Sequence, residues 1–549
     1  MKRILWTVAI CLLAFAPAIG QQKEPPTTTI KRRTELVLVP AVVTHDGKPV
    51  RGLTAKDFNL LHNGRPEKVE VFEAIDATPA RVEPVSLPLR TVQNYATADS
   101  RQDVVILLFD YLNSSWSTRA RIYSFVGAMA RQFAGTHTPV SVFLLSQLGL
   151  FQLHSFTSDL GNLTKEIERW HSGLPAAAET IAIWSSPAAP TINAQTAAAL
   201  HQLDVPYESM KLTPEEMAEM TLDAIQQISE AYRGIAGRKK LIWMSTGFPG
   251  PTLDSYSQVN SARLVSDFKV ADKLERAWKS LSDTNIMVFP IDSNGVVNPS
   301  WEGRFSPQNS GAEELMRPVS VEAPSNTPSL IAVAEKTGGR NCTDIPTKCV
   351  EQALADGTHY YILGFYLHGE NRPGWHKLKI NVKQSDSVVR SRNGFVVAEA
   401  ASKIATTAKE EVDTALASPL DYTSVPLQLS WSILSALGKQ TQVEFVLVSP
   451  PGGIAVSPDD SRINLYYLAF VRPVGKTEGR TFPVTLTTWI SPDQQKILAA
   501  SGFRFRKQVA LAPGRYEVRV LLRDNLARKM GTVSTIIDLS APPSGESKP

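Results

Sequence analysis

The chain has 549 residues, of which 43% are hydrophobic and 20% charged. These are ordinary globular values, with room for three or four domains at ~150 residues each. The formal net charge is only +4 and no basic block interleaves with aromatics, which argues against nucleic acid as a partner.

Residues 1–20 read as a secretory signal peptide. Lys2-Arg3 is followed by an apolar stretch from Ile4 to about Phe15 and by the small-residue site Ala18-Ile19-Gly20. That stretch is too short to span a bilayer, and no later one is long and apolar enough for a transmembrane segment. The mature protein is therefore expected outside the cytoplasm, secreted or periplasmic. Cleavage after Gly20 removes Lys2, Arg3 and Cys11, leaving a charge near +2 and the pair Cys342 and Cys349. In an exported protein such a pair reads as a disulfide closing a short loop. A metal pair is the rival reading, but C-x6-C without a nearby histidine suits zinc poorly.

Residues 21–34 form a Pro/Thr-rich flexible leader. From 35 to 75 short apolar runs are punctuated by Asp46-Gly47 and Asn63-Gly64, strong hairpin signals that mark a small β module. Residues 76–102 are a linker. The run Val104–Phe109 then ends abruptly in Asp110 and a cluster of hydroxyl and amide side chains up to Ser115. An uninterrupted apolar run suits a strand buried on both faces, as in a parallel sheet. Its polar end would then lie at the carboxyl edge, where open α/β sheets bind ligands.

Apolar residues at 122, 125, 126, 129 and 133 have helical spacing, and Val140–Leu145 is the next strand. Leu150–Ser155 forms a hairpin with it. Thr213-Pro214-Glu215-Glu216 is a capping box opening a helix. Strands at Leu241–Met244 and Ile286–Ile291 end in Ser245-Thr246-Gly247 and in Asp292, with a helix over 265–281 between them. A helix over 330–336 precedes the cysteine loop. Insertions at 174–207 and 295–328 carry Trp184 and Trp301. These elements and the later strands up to Val397 make 103–398 a doubly wound α/β domain with insertions. Residues 399–425 read as a helical linker. Alternation in 426–540 suits a β-sandwich, and 541–549 is a disordered tail.

The stretches DGKPVRGLTAKDFNLLHNGRPEKVEVFEA, DVVILLFDYLNSS, GRKKLIWMSTGFPG, NIMVFPIDSNG, YYILGFYL with GWHKLKINV, and ASPLDYTSVPLQL resemble the von Willebrand factor A-related proteins exported by bacteria. They span most of 35–430 in the family's order. The resemblance implies a fold class of α/β, doubly wound and von Willebrand A-type (Rossmann-like): a parallel sheet with one antiparallel edge strand and helices on both faces. The small N-terminal β module and the C-terminal β-sandwich would flank it. Adhesion or binding of a protein or cell-envelope ligand is implied, rather than catalysis.

Domains of this type often hold Mg²⁺ through a D-x-S-x-S motif, a distant Thr and a distant Asp. Here the motif aligns as Asp110-Tyr111-Leu112-Asn113-Ser114, with Leu112 for the middle serine and Thr246 for the second acid. The site is degenerate. Asp110, Asn113 and Ser114 are its candidate metal residues, with Asn113 as a replacement oxygen; otherwise Asp110 caps loop amides or the following helix. Ser245, Thr246 and Asp292 complete the expected ligand edge. Asp292 falls about 10 Å from Asp110 if two strands apart at ~4.8 Å each, too far to share one ion.

Catalytic signals are missing: no HExxH, no GxSxG elbow, no Gly-rich loop after the first strand. Gly475-Lys476-Thr477 lacks the phosphate-loop glycine, since position 470 is Phe. No cofactor is implied beyond Mg²⁺. The expectation is an exported, non-enzymatic binding or adhesion protein; a structural cell-envelope scaffold is the alternative, and a hydrolase stands third. A sealed sheet edge would favour the scaffold.

Overall fold

A computed structural model describes residues 35–76, 87–95, 104–114, 133, 138–147, 149–157, 212–235, 237–248, 264–293, 327–342, 346–356, 359–367, 373–397, 407–418, 420–437, 440–476 and 478–539. The signal peptide, the leader, Ser115, the helix expected across 122–133 apart from Phe133, the insertion at 174–207, Trp301 with most of its insertion, and the tail lie outside these residues.

The first strands are β1 (Glu35–His45), β2 (Lys48–Pro49), β3 (Phe58–His62), β4 (Arg65–Glu67), β5 (Val71–Asp76) and β6 (Thr91–Gln93). The middle of the chain comprises β7 (Val104–Asp110), β8 (Val140–Ser146), β9 (Gly149–Thr157), α1 (Pro214–Ala231), β10 (Lys239–Ser245), α2 (Leu264–Asp283), β11 (Ile286–Asp292), α3 (Thr327–Thr337) and α4 (Pro346–Ala355). Next come β12 (His359–Leu367), β13 (Gly374–Val382), β14 (Ser387–Ser391), β15 (Gly394–Val397) and α5 (Ala408–Ala417). The C-terminal part holds β16 (Gln428–Leu437), β17 (Gln440–Ser449), β18 (Arg462–Pro473), β19 (Arg480–Trp489), α6 (Pro492–Ser501), β20 (Phe503–Leu511), β21 (Arg515–Asp524) and β22 (Lys529–Asp538).

The expected fold class, α/β and doubly wound, does not describe this protein. Strands hold 49% of the structure and helices 23%, and four of the five sheets are antiparallel. Among the described residues, parallel strand pairing is confined to one sheet, ordered β11-β10-β7-β8-β9, in which β9 runs antiparallel. The expectation failed because 359–397, read into the doubly wound domain, pairs antiparallel with the N-terminal strands instead. The short alternating runs on either side of the parallel sheet contribute more ordered chain.

The runs of 35–75 do not close on themselves as a separate module. β1 pairs antiparallel with β12 and β14, and β3 pairs with β13. Two facing sheets result, β14-β1-β12-β5 and β15-β13-β3-β4. Val39, Ala41, Tyr361 and Leu363 are fully buried between them. Strands 300 residues apart in sequence thus share one core, and 359–397, assigned to the central domain from sequence, belong to this sandwich. The linker 76–102 also carries structure, because β6 joins β16 as an edge strand of the C-terminal sandwich. There β20-β17-β16-β6 faces β19-β18-β21-β22 around Leu429, Val443, Leu465 and Val520.

The parallel sheet is apolar on both faces, as its uninterrupted run requires. Ile106 and Leu108 pack with Ile225 and Ile228 of α1, Leu274 of α2 and Leu330 of α3. Val105, Leu107 and Phe109 face Val350 and Ala353 of α4 on the other side. The capping box of α1 forms as its residues predict: Glu216 N–H donates to Thr213 Oγ1 at 3.2 Å, and Thr213 N–H donates to a Glu216 carboxylate oxygen at 2.7 Å.

β10 starts two residues before its expected apolar beginning, at two lysines that are 2% exposed. Lys239 Nζ donates to Thr284 O at 2.7 Å, just past α2, and Lys240 Nζ to Leu354 O at 3.0 Å near the end of α4. Both ammonium groups thus satisfy carbonyls at helix ends, which lets them be buried. Burial holds the Lys239 amine down at about 8.

Candidate functional site

β7, the middle strand of the parallel sheet, delivers Asp110 to the carboxyl edge. The side chain is 0% exposed. One carboxylate oxygen accepts the backbone N–H of Asn113 at 3.0 Å. The other accepts Ser245 Oγ at 2.7 Å, Asn113 Nδ2 at 2.8 Å and Trp243 Nε1 at 3.2 Å. Four donors from one strand and a turn therefore converge on one buried acid. Burial pushes its carboxyl above the usual carboxylate range, while the bonds from Ser245, Asn113 and Trp243 pull it back.

The turn after β7 is tied down as firmly. The N–H groups of Tyr111 and Leu112 donate to Leu145 O at 2.8 and 3.0 Å. Ser114 Oγ donates to Asp110 O at 2.5 Å. Asn113 Nδ2 reaches Thr221 Oγ1 on α1 at 2.9 Å as well. Thr246 Oγ1 donates to the carbonyl of Asn113. Ser245 Oγ accepts Gly247 N–H at 3.0 Å, and Ser245 O accepts Ser293 N–H at 2.9 Å.

Asp292 ends β11, two strands from β7, and its N–H donates to Cys342 O at 3.3 Å. Cys342 and Cys349 form the disulfide expected from their isolation as a pair. It fastens the start of α4 to the end of β11, where Cys342 N–H donates to Pro290 O at 3.0 Å.

These residues form one connected set, held largely by hydrogen bonds of the chain to itself. Two of the four donors to Asp110 are N–H groups of Asn113 and one is the indole of Trp243, and none of these nitrogens can ligate a metal. The hydroxyls of Ser114 and Thr246 donate to the carbonyls of Asp110 and Asn113. A hard cation needs several oxygens; Asn113 Oδ1 is buried here without a hydrogen-bond partner. Among the described residues no three His, Cys, Asp or Glu side chains converge to hold a metal.

The rim expected to meet a ligand is buried: Ser245 is 0%, Ser114 5%, Asp292 6% and Thr246 9% exposed. Sequence reasoning missed Trp243 and Thr221. The first was legible, since an indole inside a buried strand must place its N–H. Thr221 was not, because its contact with Asn113 joins residues 108 apart in sequence.

A second polar cluster lies in the N-terminal sandwich. His62 Nε2 and His376 Nδ1 are 2.7 Å apart and both side chains are buried. Glu67 lies 3.3 Å from His62 Nδ1, and Phe395 flanks both rings. Burial holds the His62 imidazole below its usual range.

No family model matches the chain, and no curated protein matches it.

Proposed function

We propose that the protein is an exported, non-enzymatic scaffold in which the parallel-sheet edge is an internal brace and not a ligand site. One observation carries this reading: the Asp110 carboxylate has no exposed surface and accepts four donors of its own chain. A docking carboxylate must instead offer lone pairs to an incoming group. Export is supported by the Cys342–Cys349 disulfide, a bond at home in oxidising compartments. A distant relationship to the von Willebrand factor A-related proteins rests on the sequence stretches alone and belongs to the same proposal.

The test has two parts. Mg²⁺ or Mn²⁺ titrated calorimetrically into the full chain should give no saturable heat. Envelope extract passed over wild type and over the Thr246→Ala variant should yield the same partners. A metal-dependent partner that is lost with Thr246→Ala would refute the scaffold reading and restore the edge as a binding site.

A further inference from the structure

The hairpin formed by β13 and β14 splays open beyond its turn. β14 leaves to pair with β1, whereas β13 stays with β3. β15 returns to β13 only along Gly374–Lys377. Residues Leu378 to Val382 therefore keep one edge without a strand partner among the described residues. The same holds for β14, the outermost strand of its sheet.

The direction of the free groups follows from the bonds already made. Lys377 turns its main chain to the β3 side, where its carbonyl accepts Asn63 N–H at 2.9 Å. Leu378 N–H turns to the open side and donates to Asn393 O at 2.8 Å. Main-chain groups alternate along a strand, so the N–H and C=O of Ile380 and Val382 also face the open side.

Between the two edges lies a groove of about 670 Å³. Consecutive residues border it, Leu378 to Val382 on one wall and Val389 to Ser391 on the other. Neighbouring residues of each strand, and not alternate ones only, therefore line the walls. Ile331 of α3, 42% exposed, supplies an apolar contact at the end. Arg340 and Lys379 are exposed at the rim. Arg390 is already engaged by Asp356, and Glu335 is the one carboxylate among the bordering residues.

We propose that this groove accepts an extended peptide of a partner protein as an added β-strand, with acidic side chains set beside Arg340 and Lys379. An open strand edge is a template for pairing. In such complexes main-chain bonds supply affinity and alternate side chains supply selectivity. The wall of five residues is as long as a strand of ~16 Å at ~3.3 Å per residue, with main-chain groups of Ile380 and Val382 turned toward the groove. The excess of free basic over acidic groups at the rim selects acidic sequences. This inference goes beyond the brace at Asp110 and does not depend on it.

The probe is a capped, fluorescein-labelled peptide, Thr-Val-Glu-Val-Glu-Val-Thr, followed by anisotropy with the full chain. One control replaces both glutamates with lysine; a second is N-methylated at alternate residues, so that it cannot pair normally. The expected result is saturable binding of the glutamate peptide, weakened roughly tenfold or more in each control. Arg340→Glu with Lys379→Glu should weaken the glutamate peptide by a similar factor and strengthen the lysine peptide. Both side chains are exposed, and circular dichroism checks that the variant folds. Hydrogen exchange should slow at Ile380 and Val382 on binding. No saturation at about 1 mM peptide, equal binding of the N-methylated control, or indifference to the charge reversal would overturn the proposal.

Discussion

Replacing Asp110 with alanine removes the acceptor shared by four donors, three of them from side chains. Asn113 Nδ2 keeps its bond to Thr221, and Ser245 Oγ can rotate, since it already accepts Gly247 N–H. Trp243 Nε1 and Asn113 N–H are left without a partner, at about 1–3 kcal/mol for each buried unsatisfied group. Relief from burying the carboxylate offsets part of this, so a net loss of ~3 kcal/mol is expected. Asp110→Asn, which retains one oxygen, should lose only ~1 kcal/mol. A chain with several cores does not unfold in one step, so the effect must be read locally. Hydrogen exchange in Val104–Asp110 and Lys239–Ser245 should accelerate roughly a hundredfold in the alanine variant, since ~1.4 kcal/mol is a factor of ten. Exchange in the C-terminal sandwich should not change. If protection in both strands survives the alanine change, and Mg²⁺ raises protection in wild type, the carboxylate faces a ligand and the brace is refuted.

Three further outcomes are expected. His62 is held below its ordinary 6.5 by burial, so as pH falls through 6.5 the unfolded chain binds protons first. Stability of the N-terminal sandwich is therefore full above that pH and lost below it, and His62→Gln should flatten a series of thermal melts from about pH 7.5 to 5.5. A Cβ on Gly339 would lie 1.8 Å from Val288 O, so Gly339→Ala should separate α3 from β11 and cost roughly 3 kcal/mol by overpacking, visible as a lower urea midpoint. Removing the disulfide by Cys342→Ser with Cys349→Ser opens a loop with a sequence separation of 7. Chain entropy puts that loss at about 2.4 kcal/mol, and the early-melting region should be α4 by hydrogen exchange.

Local chemistry was legible wherever one short stretch decides the outcome. Val104–Asp110 is buried throughout because no polar residue interrupts it before the acid. Thr213 and Glu216 cap α1 from three residues apart. Cys342 and Cys349, at a sequence separation of 7, closed the short loop read from their spacing. What could not be read depends on distance in sequence. Nothing in residues 35–45 indicates that β1 will pair with Tyr361 to Leu367, and hairpin signals favour local closure. The lysines that open β10 looked like a surface boundary, because the carbonyls that accept them lie 45 and 114 residues away. The candidate site failed in the same way. Asp110 and Ser114 were found, but the indole of Trp243 that donates to the carboxylate was not.

Satisfaction of buried polar groups also explains how the parallel sheet relates to its neighbours. At its amino edge, buried Arg238 lies over the ring of Tyr360 in β12, 4.3 Å from its centroid, which joins the sheet to the N-terminal sandwich. At the end of α1, Ala231 O accepts both the N–H and the hydroxyl of Thr423, at 2.9 and 2.7 Å. Thr423 itself bridges to Gly531 of the C-terminal sandwich. Gly234 permits that approach, because a Cβ there would meet Thr423 O at 2.0 Å. Asn94, just after β6, closes the same seam, donating to Tyr422 O and Val425 O and accepting Leu427 N–H. The parallel sheet thus has directional contacts to a sandwich on either side, and its carboxyl edge is filled by its own turn. The proposed peptide groove lies elsewhere, between β13 and β14.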